Sequence, residues 1–276
     1  MTTDLLTRDA VADRKGGVWD YVSASRLNLW LRCPLAFKCK YIDGVRTPTS
    51  PAAFLGKVVH AGLEAVYRHR KLQVPLSLTE INHRVDSSWD LLRGTEDVLF
   101  ESIEKETAVK AQATALVLSY VAQVPDDEPA PEAVEVALET ALVDPGTGED
   151  LGIPLVGIVD LIRDGPLITD FKTTSRSGAP LEVAHEIQLG CYSYLFRQVT
   201  GRTEAGLEII NLVKTKTPKV ERHSFPARDK RHFQRLFAVI RAYLDALDSG
   251  KFVYRPGIGC QMCDFKNSAH CCGWNG

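Results

Sequence analysis

The 276-residue chain carries no excess of positive charge: 33 Lys and Arg stand against 35 Asp and Glu, a formal net charge of -2. The molecule as a whole is therefore not built to attract nucleic acid, and any such surface must be local. No apolar run approaches the roughly eighteen residues that a bilayer span needs, and the opening MTTDLLTRDAVADRKGG lacks the basic-then-apolar order of a secretory leader. A cytoplasmic protein with no membrane partner is expected. The G-x-x-x-x-G-K-[ST] phosphate loop is missing too, so the chain holds no helicase motor of its own. Internal repeats and low-complexity tracts are also lacking.

What is present is ordinary in bulk and unusual in detail. Apolar residues at 45% and charged residues at 25% are globular values, and the length suits one domain with insertions. Seven cysteines in a reducing compartment point to metal or cluster ligation rather than disulfides. Cys33 lies near one end, while Cys260, Cys263, Cys271 and Cys272 lie at the other; Cys39 and Cys191 read as buried thiols. Residues 214 to 241 hold Lys214, Lys216, Lys219, Arg222, Arg228, Lys230, Arg231, Arg235 and Arg241 against Glu221 and Asp229. That stripe reads either as a solvated face or as a phosphate-tracking wall.

Periodicity divides the chain into four parts: a flexible arm at 1–20, a helical region at 21–130, a strand-bearing core at 131–250 and a Cys-rich segment at 251–276. Ser23 or Ser25 caps a helix with Leu27, Trp30 and Leu31 on one face, and Pro34 interrupts it just after Cys33. Residues 52–71 form a second helix that stacks Gly56, His60 and Glu64 on one side. The pattern stays helical from Leu78 to about Gln123, and the acidic, proline-bearing PDDEPAPEA at 125–133 is the linker. Strands follow at 134–142, 153–163 and 167–172, then a helix at 181–199, strands at 206–213 and 219–225, and a helix at 228–249. This order predicts an α/β fold with a mixed central sheet flanked by helices.

Asp160 closes the apolar run PLVGIVD, and Asp170 and Lys172 occupy LITDFK on the next strand. Strand alternation puts Asp170 and Lys172 on one face and Phe171 on the other, and the turn at 163–166 can bring Asp160 beside them. Two adjacent carboxylates repel unless a divalent cation lies between them, and oxygen ligands suit Mg²⁺ or Mn²⁺. A nearby Lys can orient attacking water and stabilise charge building on a phosphate.

G-x-x-D, then D-x-K ten residues on, then Gln188 with Tyr192 one helical turn later, resembles the PD-(D/E)XK nucleases of the RecB and Cas4 branch. The resemblance runs through SASRLNLWLRCPLAFKCKYIDG, GKVVHAGLE, GIVDLI, ITDFKT and QLGCYSYLF, nearly the whole chain. It implies a restriction-endonuclease-like core with a Cys cluster joining the termini. His60, Asp160, Asp170 and the Phe171 carbonyl would be metal ligands and Lys172 the catalytic lysine. Gln188 and Tyr192 would lie beside the active site, although plain helix packing also accounts for them. The cysteine bracket resembles the [4Fe-4S] site of these proteins, with Cys33, Cys260, Cys263 and Cys272 (or Cys271) as ligands; a Cys₄ zinc site is the competing assignment. The spacing after Cys263 departs from relatives, whose last ligand follows sooner. The implied activity is Mg²⁺- or Mn²⁺-dependent hydrolysis of DNA by an exonuclease, on single-stranded or duplex ends, in recombination, repair, or phage or CRISPR DNA processing. The alternatives are a Cas4-like processing module with a recombination or CRISPR-adaptation partner, and a catalytically silent DNA-binding scaffold.

Overall fold

The computed structural model describes residues 16–178, 182–266 and 271. The N-terminal part builds five helices, each start fixed by local chemistry. Ser23 caps α1 (Ala24–Arg32) by accepting from the Arg26 N–H. The chain then turns at Cys33, which is extended, and Pro34 supplies the first residue of α2 (Pro34–Tyr41), where its missing N–H is harmless. Helix α3 (Pro51–Lys71) starts the same way, with Ser50 as cap and Pro51 next. Helices α4 (Leu78–Thr95) and α5 (Ile103–Val121) fill the stretch over 78–123 whose pattern stays helical. Glu96 ends α4; its carboxylate is held by Lys57 and Thr49, and Ser102 caps the restart. The break is therefore imposed by contacts with α3 and the loop before it.

The second part is a five-stranded sheet in the order β1-β2-β3-β4-β5 (Ala133–Val143, Asp150–Arg163, Leu167–Thr174, Gly206–Val213, Lys219–Pro226). Neighbours are antiparallel except β3 and β4, which run parallel because helix α6 (Glu182–Thr200) carries the chain back between them. Helix α7 (Lys230–Ser249) follows β5, capped by Asp229 at its start and by Gly250 in the left-handed region at its end. The mixed sheet flanked by helices is as the strand and helix pattern predicts.

Each sheet face has its own core. On one side α3, α4 and α5 pack Phe54, Val58, Leu63, Val85, Leu116 and Val117 against Leu161, Phe171, Ile210 and Leu212 of the strands. On the other, α1, α2, α6 and α7 pack Leu27, Phe37, Tyr194, Leu195, Phe237 and Tyr243 against Leu155, Val159, Ile168 and Ile209. A side chain on a central strand thus meets one helical layer or the other according to its parity. Gly17–Trp19 form a single 3₁₀ turn, tied down by Arg26, whose guanidinium donates to the Tyr21 and Val18 carbonyls. Residues 1–15 of the expected arm, and Cys272, lie outside the described residues. No described helix is long and apolar enough to cross a membrane.

Candidate active site

Strands β2 and β3 pair as Arg163↔Leu167, Ile162↔Ile168 and Leu161↔Thr169, and there the ladder stops. The next rung would set Asp160 opposite Asp170. Instead of a backbone carbonyl, the Asp160 carboxylate takes the next N–H: Phe171 N donates to its Oδ2 at 2.8 Å. A side chain thus satisfies the backbone at the point where the strands part, and both carboxylates remain at the opening. The β1–β2 register, Val134↔Leu161 and Val136↔Val159, brackets a third carboxylate, Glu135, opposite Asp160. Three adjacent strands therefore carry Glu135, Asp160 and Asp170 in one row.

Asp170 is 2% exposed and is the hub of the site. Gln188 Nε2 on α6 donates to its Oδ1 at 2.8 Å and lies 2.9 Å from the Tyr192 hydroxyl. Lys172 Nζ is 2.8 Å from Oδ2. Asp170 and Lys172 thus share the α6 face, as alternation requires, while Phe171 turns into the opposite core against Tyr67 and Tyr120. His60 comes from α3, its Nδ1 3.5 Å from Asp160 Oδ2. Two glycines permit this assembly. A Cβ on Gly56 would stand 3.2 Å from Thr173 Oγ1, so α3 approaches β3 closely there, and a Cβ on Gly157 would stand 2.7 Å from Leu195 Cδ1 of α6.

The protonation of the site follows from crowding. Burial pushes the Asp170 carboxyl up to about 6, with Lys172 pulling it down and Asp160 pushing it further up. Burial, with Asp160 and Glu64 adding their charges, pushes Glu135 up to about 7. His60 is raised above its ordinary value: burial opposes the charged form, and the hydrogen bond and charge of Asp160, with Asp170, outweigh it. Half-buried His185 on α6 is lowered, by burial and by Lys172. Carboxylates gathered with one lysine and one histidine leave room for added positive charge, and oxygen donors with an imidazole suit a divalent cation. As arranged, no three His, Cys, Asp or Glu side chains among the described residues converge closely enough to hold one.

Every residue expected at this site falls within it: His60, Asp160, Asp170, Phe171, Lys172, Gln188 and Tyr192. Glu135 escapes sequence reading, because nothing in AVEVALETALV distinguishes it from a solvent-facing strand residue; its backbone φ of 45° is one such residues rarely adopt. Part of the basic stripe is paired or buried. Arg222 pairs with Glu208, Arg235 with Glu186, and Arg241 with Asp144 and Glu149, while Arg228 is buried.

The thiols gather away from this row. Cys33, Cys260, Cys263 and Cys271 line one cavity of about 150 Å³ together with Leu35, Ala36 and Phe265, so α2 and the Cys-rich segment meet there. Cys39 lines it too. Cys191 is buried in the α6 core, where desolvation pushes its thiol up to about 12.

The sequence profile of the PD-(D/E)XK nuclease superfamily matches residues 21–271. The chain belongs to that superfamily. Its fold is accordingly restriction-endonuclease-like, and Asp160, Asp170 and Lys172 lie on the two strands that carry the D…D-x-K pattern. Among solved structures, a candidate exonuclease from Eubacterium rectale shares the PD-(D/E)XK chain's fold at a TM-score of 0.54, with 12% identity over 95% of this chain and 98% of that one. SSO0001 aligns over 86% of this chain and 91% of its own at 14% identity, with a TM-score of 0.36. No curated protein matches the sequence.

Proposed function

We propose that this nuclease is a metal-dependent DNA exonuclease of the RecB/Cas4 kind, hydrolysing phosphodiester bonds at single-stranded ends, with a [4Fe-4S] cluster fastening its termini. The observation that carries this reading is the buried Asp170 carboxylate, held on one oxygen by Gln188 and on the other by Lys172. A structural aspartate would be satisfied by such partners and closed off. Here Asp160 and His60 stand beside it.

The His60, Asp160 and Asp170 side chains and the Phe171 carbonyl would hold Mg²⁺ or Mn²⁺. When bound, such an ion lowers the pKa of water and polarises the scissile phosphate. Gln188 fixes the Asp170 carboxylate and is itself braced by Tyr192, so the donor does not swing when its charge is engaged. Lys172, with about a third of its side chain exposed, can turn its ammonium toward the phosphate and stabilise charge that builds there. The His60–Asp160 contact keeps the imidazole on the row's side of α3.

The thiols suit a cluster. Among the described residues Cys33, Cys260, Cys263 and Cys271 line a common cavity, as a cluster held by four thiolates would need. End trimming in recombination, repair or uptake of foreign DNA is the process this activity would serve.

The test of the exonuclease reading is topological. With Mg²⁺ or Mn²⁺, purified protein should degrade a labelled linear single strand and leave the covalently closed circle of the same sequence intact. Equal loss of circle and linear strand would make the enzyme an endonuclease and overturn the assignment.

A further inference from the structure

The cavity between α2 and the Cys-rich segment is lined by five thiols, one more than four corners can use. The fifth is Cys39, whose sequence surroundings in FKCKY mark it only as a core residue. It is 0% exposed and packs with Ala36 and Phe265, with Cys33 and Cys263 against the same small cluster. Its electrostatic neighbours include the Cys263 and Cys271 sulfurs. Tyr254, across the cavity, feels Cys260, Cys271 and Cys33. Cys39 and Cys271 thus line the same cavity.

The two thiols are held very differently. Cys39 sits inside α2, and its carbonyl anchors the following loop by accepting from the Val45 N–H at 2.9 Å. Cys260 and Cys263 are fixed to each other by a turn in which Cys263 N donates to the Cys260 carbonyl at 3.2 Å. Cys271 lies eight positions after Cys263 in the sequence, outside that turn. A corner supplied from outside the turn, in a cavity that also holds a rigid unused thiol, is the place where one ligand can replace another.

Resting on the cluster assignment above, we infer that Cys39 is a reserve ligand of the cluster, taking the corner of Cys271 when that thiolate is lost. The exchange balances without redox chemistry. The Cys39 thiol gives up its proton as its sulfur bonds iron, the iron–sulfur bond to Cys271 breaks, and the departing thiolate takes up a proton.

Iron and acid-labile sulfide per chain, measured on full-length protein purified without oxygen, decide this. Both tail thiols are replaced together, as Cys271→Ser with Cys272→Ser, so that neither covers for the other. That variant should keep about half or more of the wild-type iron and its visible absorbance, and adding Cys39→Ala should bring iron below about a tenth of wild type. Cys39→Ala alone should keep wild-type iron and a near-wild-type melting temperature, which separates ligand loss from core damage. The inference is overturned if the tail variant is already as iron-poor as the triple variant, or if the triple variant keeps as much iron as the tail variant. Wild-type protein without iron, or with stoichiometric zinc, overturns the cluster assignment itself and this inference with it.

Discussion

Glu135 is the residue at which backbone, charge and site meet. Its φ of 45° is a conformation that costs a non-glycine residue on the order of 1 kcal/mol, and its carboxylate faces Asp160 and Glu64. Like charges placed opposite each other across a strand pair destabilise the sheet. The folded-state value near 7 lies above the unfolded value of 4.5, so the folded chain binds the extra proton between those limits. Stability from this group is therefore full below about 4.5 and falls as pH rises through 7. Replacing Glu135 by Gln should raise the melting temperature of metal-free protein by a few degrees at pH 8, about 2 kcal/mol at most, and change it little at pH 4. Thermal unfolding in chelator at the two pH values measures this. An equal shift at both would show that the carboxylate charge is not the cause.

At the scale of elements, the site depends on how closely α6 lies on β2. The glycine at 157 allows that approach, since a methyl group there would stand 2.7 Å from Leu195 Cδ1 and 3.5 Å from Tyr192 Cε1. Gly157→Ala should cost about 1–3 kcal/mol of stability through overpacking. Its larger effect should fall on activity, because displacing α6 moves Gln188 and Tyr192 away from Asp170. Urea unfolding and cleavage assays on the same protein check both; undisturbed cleavage would mean that the Gln188–Asp170 contact is dispensable. Most of these elements are legible in the sequence because their signals are local: Ser50-Pro51 opens α3, Asp229 and Gly250 bound α7, and several strands are short Val-, Ile- and Leu-rich runs set off by Gly and Pro turns. The break between α4 and α5 is not legible. It is made by Lys57 and Thr49 on Glu96, partners 39 and 47 positions away.

The whole molecule is a sheet between two cores, with a carboxylate row at the opening of β2 from β3 and a thiol-lined cavity where α2 and the Cys-rich segment meet. Asp160, Asp170 and Lys172 could be placed together from sequence because strand parity and one short turn suffice. Glu135 could not, since only the β1–β2 register brings it there, and Cys39 could not, since its importance comes from a cavity whose far wall is more than two hundred positions along the chain. The surroundings of the basic stripe were not legible for a related reason: three of its arginines find acids on other elements, Glu208, Glu186 and Asp144. What stays available for chemistry is the Asp170–Lys172 pair. The most direct measurement is Mn²⁺-dependent cleavage of end-labelled DNA by wild type and by Lys172→Ala, with Mn²⁺ binding followed on the same samples. Cleavage should fall by about a hundredfold or more while Mn²⁺ is still bound. Cleavage by Lys172→Ala at the wild-type rate would contradict the account.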